Sequence, residues 1–121
     1  MNPLLIWVLG LEDAKAGRQP TEAETAERKR LLHEARAAGA CGWSSQTRGT
    51  AGDPSVETAG GAAQSDFDGT PMPSDVMWPE TQLALAEVLG ERGEGFIELS
   101  GATLPREHWE KLAEISGAPI I

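Results

Sequence analysis

Phe96-Ile97-Glu98-Leu99, followed by Leu104-Pro105 and the run Arg106–Ser116, and closed by Pro119-Ile120-Ile121, is the stretch on which the fold turns. The first four residues read as a short strand. From 104 to 116 the spacing predicts a helix: Thr103 can cap it, Pro105 suits its first turn and Gly117 stops it. At 100° per residue, His108, Trp109, Leu112, Ile115 and Ser116 share one face and Glu107, Glu110, Lys111 and Glu114 the opposite one. Strand, helix and extended apolar tail in that order form a small β-α-β unit, so strand and tail should be parallel if they share a sheet.

Upstream, residues 79–89 read as another helix, opened by Pro79 and stopped by Gly90, with Leu85, Val88 and Leu89 as its apolar stripe. Gly90 to Gly95 reads as a turn; its glycine spacing is not that of a dinucleotide-binding loop. Residues 21–38 carry the clearest helix signal. Thr21 and Glu24 have the spacing of a capping box, acidic residues precede basic ones in accord with the helix dipole, Glu24 and Arg28 stand at i,i+4, and Gly39 follows. Its expected apolar stripe is Leu31, Leu32, Ala35 and Ala38. Residues 3–11 are almost continuously apolar and admit a helix or a short covered strand. The helix is favoured, capped by Asn2 with Pro3 at its first position and ending near Gly17.

Residues 39–77 are dominated by Gly, Ser, Thr, Ala, Pro and Asp, with too few large aliphatic side chains to offset the entropy of ordering them. They read as a long polar loop or linker between helical parts 1–38 and 78–121, giving a small helix-rich α+β domain over 1–121 with one or two short strands.

Of 121 residues, ten are Lys or Arg and nineteen Asp or Glu, a formal charge of -9. The imbalance is local. Residues 1–48 hold seven basic and six acidic side chains, whereas 49–121 hold three and thirteen, so the second half carries -10. Such a chain repels nucleic acid and anionic membrane, and the partner that fits it is a larger protein with a basic surface. The apolar run near residue 4 is too short to span a bilayer and lacks a basic segment before it, and Cys41 is the only cysteine. The expected location is cytoplasmic.

Several residues invite a chemical reading. Asp66-Phe67-Asp68-Gly69-Thr70 resembles the nucleophile motif of haloacid-dehalogenase-like phosphatases, in which the first Asp attacks phosphate and the second acts as acid and base. That motif follows a buried apolar strand, and here Ala62, Ala63, Gln64 and Ser65 precede it, so a solvated Asp/Gly turn is the reading preferred. Asp66, Asp68 and Asp75 could offer oxygen ligands to a cation, but Thr70 and Met77 break the calcium-loop pattern. One Cys and two His do not make a zinc site. Cys41 is expected to pack as a small hydrophobe and His108 as a core-edge histidine. No cofactor, metal or catalytic residue is assigned.

What remains is a partner-binding surface. Glu107, Glu110 and Glu114 form an acidic stripe. Lys29 and Arg36 lie near one helix face and read as a solvated basic face. Trp7 and Trp109 are expected in the core. Trp43 and Trp78 flank the polar segment, either as staples holding its ends or as anchors for a partner. The functional expectation is a non-catalytic acidic protein-binding module. In its sharpest form it is an inhibitor occupying a basic, nucleic-acid-binding surface of a larger partner, a role open to small phage-encoded anti-CRISPR proteins, which it resembles in size and charge alone. The alternative is a structural component of an oligomeric assembly such as a virion, with 39–77 as an arm; self-association would belong to that reading. The remote alternative is a small metal-dependent phosphohydrolase using Asp66 and Asp68.

Overall fold

A computed structural model of the chain describes residues 1–46, 70–100 and 104–121. Two short helices come first, α1 (Asn2–Leu9) and α2 (Leu11–Lys15). They are followed by α3 (Glu22–Ala37), strand β1 (Gly42–Gln46), a single 3-10 turn (Pro73–Asp75), α4 (Pro79–Arg92), strand β2 (Phe96–Ser100) and α5 (Arg106–Ser116). The result is a small α+β fold in which β1 and β2 pair in parallel, Trp43 opposite Ile97 and Ser44 opposite Glu98. The C-terminal tail extends the sheet. Ile120 bridges Ile97 in parallel, with Ile97 N–H donating to the Pro119 carbonyl and Ile121 N–H to that of Ile97, both at 2.9 Å. Strand, helix and parallel tail therefore meet as the sequence order requires.

One strand arises where a loop was expected. Gly42–Gln46 lies inside the 39–77 segment, yet Trp43 is buried and supplies the apolar anchor that seats β1 on the core. Gly42 passes so close to Phe96 that a Cβ would collide with the Phe96 carbonyl, which requires glycine at the start of the strand. The turn at Pro73–Asp75 is buried as well. Asp66 and Asp68 lie outside the described residues.

The core gathers Leu32, Trp43, Leu85, Val88, Leu89, Ile97 and Leu112 from α3, both strands, α4 and α5. The expected stripe of α4 is buried as a unit, but the helix runs past Gly90 to Arg92 and ends at Gly93, whose φ of 66° forms the left-handed cap. Gly90 is instead a contact residue: a Cβ there would strike the Ile115 carbonyl of α5, so its lack of a side chain lets the two helices approach. A second cluster joins Leu5, Ala14 and Met77.

The amino-terminal apolar run is helical, with two departures. Met1, not Asn2, precedes the first turn, and Asn2 uses its Oδ1 to accept the Ser74 N–H at 2.7 Å. Gly10, at φ 82°, then breaks the run into two helices. Trp7 is 79 % exposed and not in the core: among the described residues, α1 packs through Met1, Leu4, Leu5, Ile6 and Leu9, which leaves the Trp7 side outward. Trp109 is half-buried, its Nε1 donating to the Leu104 carbonyl at 3.1 Å.

On α3 the capping box forms as expected, with the Thr21 hydroxyl accepting the Glu24 N–H and Glu24 accepting the Thr21 N–H at 2.8 Å. The buried stripe is different. Arg28, Leu32 and Arg36 face inward at i, i+4 and i+8, while Ala35 and Ala38 are exposed. Glu24 does not pair with Arg28. Its carboxylate receives Arg18 at 2.7 and 3.1 Å, and Arg28 turns inward to donate to the Glu24 carbonyl and to the hydroxyls of Thr25 and Thr81. The Arg18 hydrogen bond and the Thr21 N–H hold the Glu24 carboxyl down at about 2.

Candidate partner-binding surface

The inward face of α5 anchors the helix. His108, Leu112 and Ser116 are buried, and His108 Nε2 lies 2.7 Å from Gln82 Oε1 of α4. Burial lowers the pKa of that imidazole; a neighbouring Glu80 raises it, and Lys111 adds to the lowering. With the apolar face fixed, Glu107, Glu110 and Glu114 are all held outward in solvent. Glu110 accepts Arg106 Nε at 2.7 Å across an exposed i,i+4 pair. Glu107 and Glu114 make no ion pair among the described residues, and neither does the exposed Glu98 of β2.

The basic residues of α3 are engaged elsewhere. Lys29 Nζ is 2.8 Å from Glu87 and 3.6 Å from Glu91, His33 Nε2 is 3.0 Å from Glu91, and Arg36 reaches Glu94 at 3.3 Å. Arg36 also donates to the carbonyls of Ala40 and Glu94. These side chains therefore do not form a free basic face; they pair with Glu87 and Glu91 of α4 and with Glu94 just after it. The carboxylates of α5 receive no such partner from α3.

The two tryptophans flanking the polar segment occupy different positions. Trp43 is 7 % exposed and presents almost nothing to a partner. Trp78 is half-buried at the start of α4, where its Nε1 donates to the Gly17 carbonyl at 2.9 Å. One side of its ring lines a groove of about 480 Å³ between α3 and α4, floored by Ala26 and Ala84 and rimmed by Glu22, Glu80 and Glu87. Sequence reasoning missed this groove because nothing local reveals that Ala26 and Ala84, far apart in the chain, face each other. A smaller polar cleft of about 180 Å³ lies by Ser44, Glu98 and Ser100, on the sheet face opposite the core, with Asn2 and Ser74 alongside.

Cys41 is exposed, contrary to its expected packing, because it lies just before β1 where the chain is outside the core. Asp75 is buried, with Oδ2 accepting the Met72 N–H at 3.2 Å. Among the described residues no group of three or more His, Cys, Asp or Glu is placed to hold a metal ion, and no helix is long and apolar enough to cross a membrane. No family model, curated protein or solved structure matches the chain.

Proposed function

We propose that this chain is a non-catalytic, acidic protein-binding module that acts by occupying a basic surface of a larger partner. The observation that carries this reading is the division of charge between helices. Lys29, His33 and Arg36 of α3 reach Glu87, Glu91 and Glu94, whereas Glu107 and Glu114 make no ion pair among the described residues, Lys111 being the one cation on their face of α5 among those residues, and Glu110 shares one exposed arginine. A rigid helix bearing carboxylates at i, i+3 and i+7 offers a fixed negative stripe, and such stripes steer association with positive surfaces. A partner surface that otherwise holds nucleic acid has the required charge, so the sharpest form of the proposal is competitive inhibition of such a surface.

The test is affinity capture with the wild-type chain and the variant E107Q/E110Q/E114Q in parallel, eluted by a salt gradient. The proposal expects one dominant basic protein on the wild-type matrix, released at moderate salt and absent from the variant matrix. Equal capture by both matrices would remove the α5 stripe from the account.

A further inference from the structure

We infer that the groove between α3 and α4 is the pocket in which an arginine side chain of a partner is held. The inference rests on reading the chain as an acidic protein-binding module, and it places a second contact on a different face from α5.

The floor and walls are apolar where they matter. Ala26 of α3 and Ala84 of α4 are small enough to leave the depression open, and Trp78 closes one end. The Trp78 N–H is already donated to Gly17, so the indole offers the groove only its hydrocarbon and π surface. The rim is acidic. Glu22 and Glu80, in the first turns of α3 and α4, are exposed and make no ion pair among the described residues. Glu87 shares Lys29, the one cation lining the groove among the described residues, and that ammonium is tied to Glu87 and Glu91. Among the described residues, three carboxylates against one ammonium make the groove lining negative.

An occupant must therefore bring an apolar stem and a cationic head. Arginine meets both conditions: its methylenes cover alanine and threonine methyls, and its planar guanidinium stacks on an indole and forks onto carboxylates. Lysine meets them less well, since its ammonium is more strongly hydrated and lacks the planar face. A volume of about 480 Å³ falls in the usual range of small-ligand clefts, about 300–1,000 Å³, and admits one long side chain with adjoining backbone.

The experiment is an NMR titration of the isotopically labelled full chain with three capped peptides of equal length, alternating Ala with Arg, Lys or Glu. The Arg peptide is expected to shift the Trp78 indole resonance and the amides of Ala26 and Ala84 saturably. It should bind several-fold tighter than the Lys peptide, with no shift from the Glu peptide. E22Q/E80Q, at two exposed first-turn positions, is expected to weaken that binding about tenfold while lowering the melting temperature by no more than a few degrees, the helix-dipole contribution of two exposed carboxylates. E107Q/E110Q/E114Q is expected to leave the groove shifts intact. Shifts confined to α5 and lost in E107Q/E110Q/E114Q would overturn the groove assignment and keep the module reading. Groove shifts insensitive to E22Q/E80Q, or produced equally by the Glu peptide, would overturn it too, as would no shift at millimolar Arg peptide. The module reading is judged separately, by the capture experiment on the α5 variant.

Discussion

Lys29 on α3 places its Nζ 2.8 Å from Oε2 of Glu87 on α4, joining the basic first half of the chain to its acidic second half. The pair sits partly in solvent, with 26 % and 51 % of the two side chains exposed. Its energetic value is accordingly small. A double-mutant cycle with K29Q and E87Q should give a coupling of about 0.5 kcal/mol, below about 1 kcal/mol, falling further at high salt. The larger consequence is electrostatic: without Lys29, Glu87 and Glu91 would join the uncompensated acid on the surface, so K29Q should bind basic peptides more tightly than wild type.

Arg28 is 1 % exposed, and its donors go to a carbonyl and two hydroxyls, with no carboxylate in direct contact among the described residues. Burial lowers its pKa, opposed by the nearby charge of Glu24. Truncation by R28A should cost about 2–4 kcal/mol, because it empties packed volume and strands the Thr81 hydroxyl. R28M keeps most of the volume and removes the buried charge but strands the same Thr81 hydroxyl, so it should cost less than R28A, about 1–2 kcal/mol. Urea denaturation of both variants gives the comparison; equal losses would show that the charge itself supports the fold.

Gly90 and Gly93 separate two reasons for glycine. G90A drives a methyl into the Ile115 carbonyl and should destabilise by about 2 kcal/mol or more, since two backbones must part. G93A meets open space but must hold φ at +66°, and should cost only about 1 kcal/mol. Thermal melts of the two variants check the order.

Acid should weaken the fold in two steps. The folded pKa of His108 lies below its ordinary 6.5, so the unfolded chain binds the extra proton first; stability is complete above about 6.5 and declines as pH falls toward the folded value. Glu24, at about 2 against an ordinary 4.5, adds stability that is present above 4.5 and lost as pH falls from there toward 2. Glu27, held low by Arg30, acts in the same direction. H108Q should flatten the upper limb of a stability-against-pH curve and leave the lower one; an unchanged upper limb would contradict the assignment.

The legible parts of this fold were those written in neighbouring residues. Thr21 and Glu24 define their own cap, and the alternation of His108, Leu112 and Ser116 with Glu107 and Glu114 states which side of α5 is wet. The illegible parts depended on distant partners. Arg28 and Arg36 read as surface charge because burial of a cation requires donors' acceptors, Thr81 and Glu94, that are far off in sequence. Trp7 reads as core because its neighbours are apolar, yet among the described residues no other element covers that side of α1 and Trp7 is exposed. Strand β1 has no β-branched residue and is recruited by β2 and by Trp43. For the candidate surface, the acidic stripe was visible in the helical period, whereas the groove at Trp78 was not.

The central claim is that the carboxylates on the outer face of α5 meet a basic protein partner. Parallel affinity capture with wild-type chain and with E107Q/E110Q/E114Q, read by mass spectrometry across a salt gradient, tests it most directly. The variant should fold and lose no more than about 1 kcal/mol, because all three positions are exposed and only the Arg106–Glu110 pair and the first-turn charge of Glu107 are given up. The account predicts a single basic protein held by wild type, released at moderate salt and missing from the variant. The same proteins retained by both, or only further copies of this chain held through high salt, would contradict it and favour an assembly component instead.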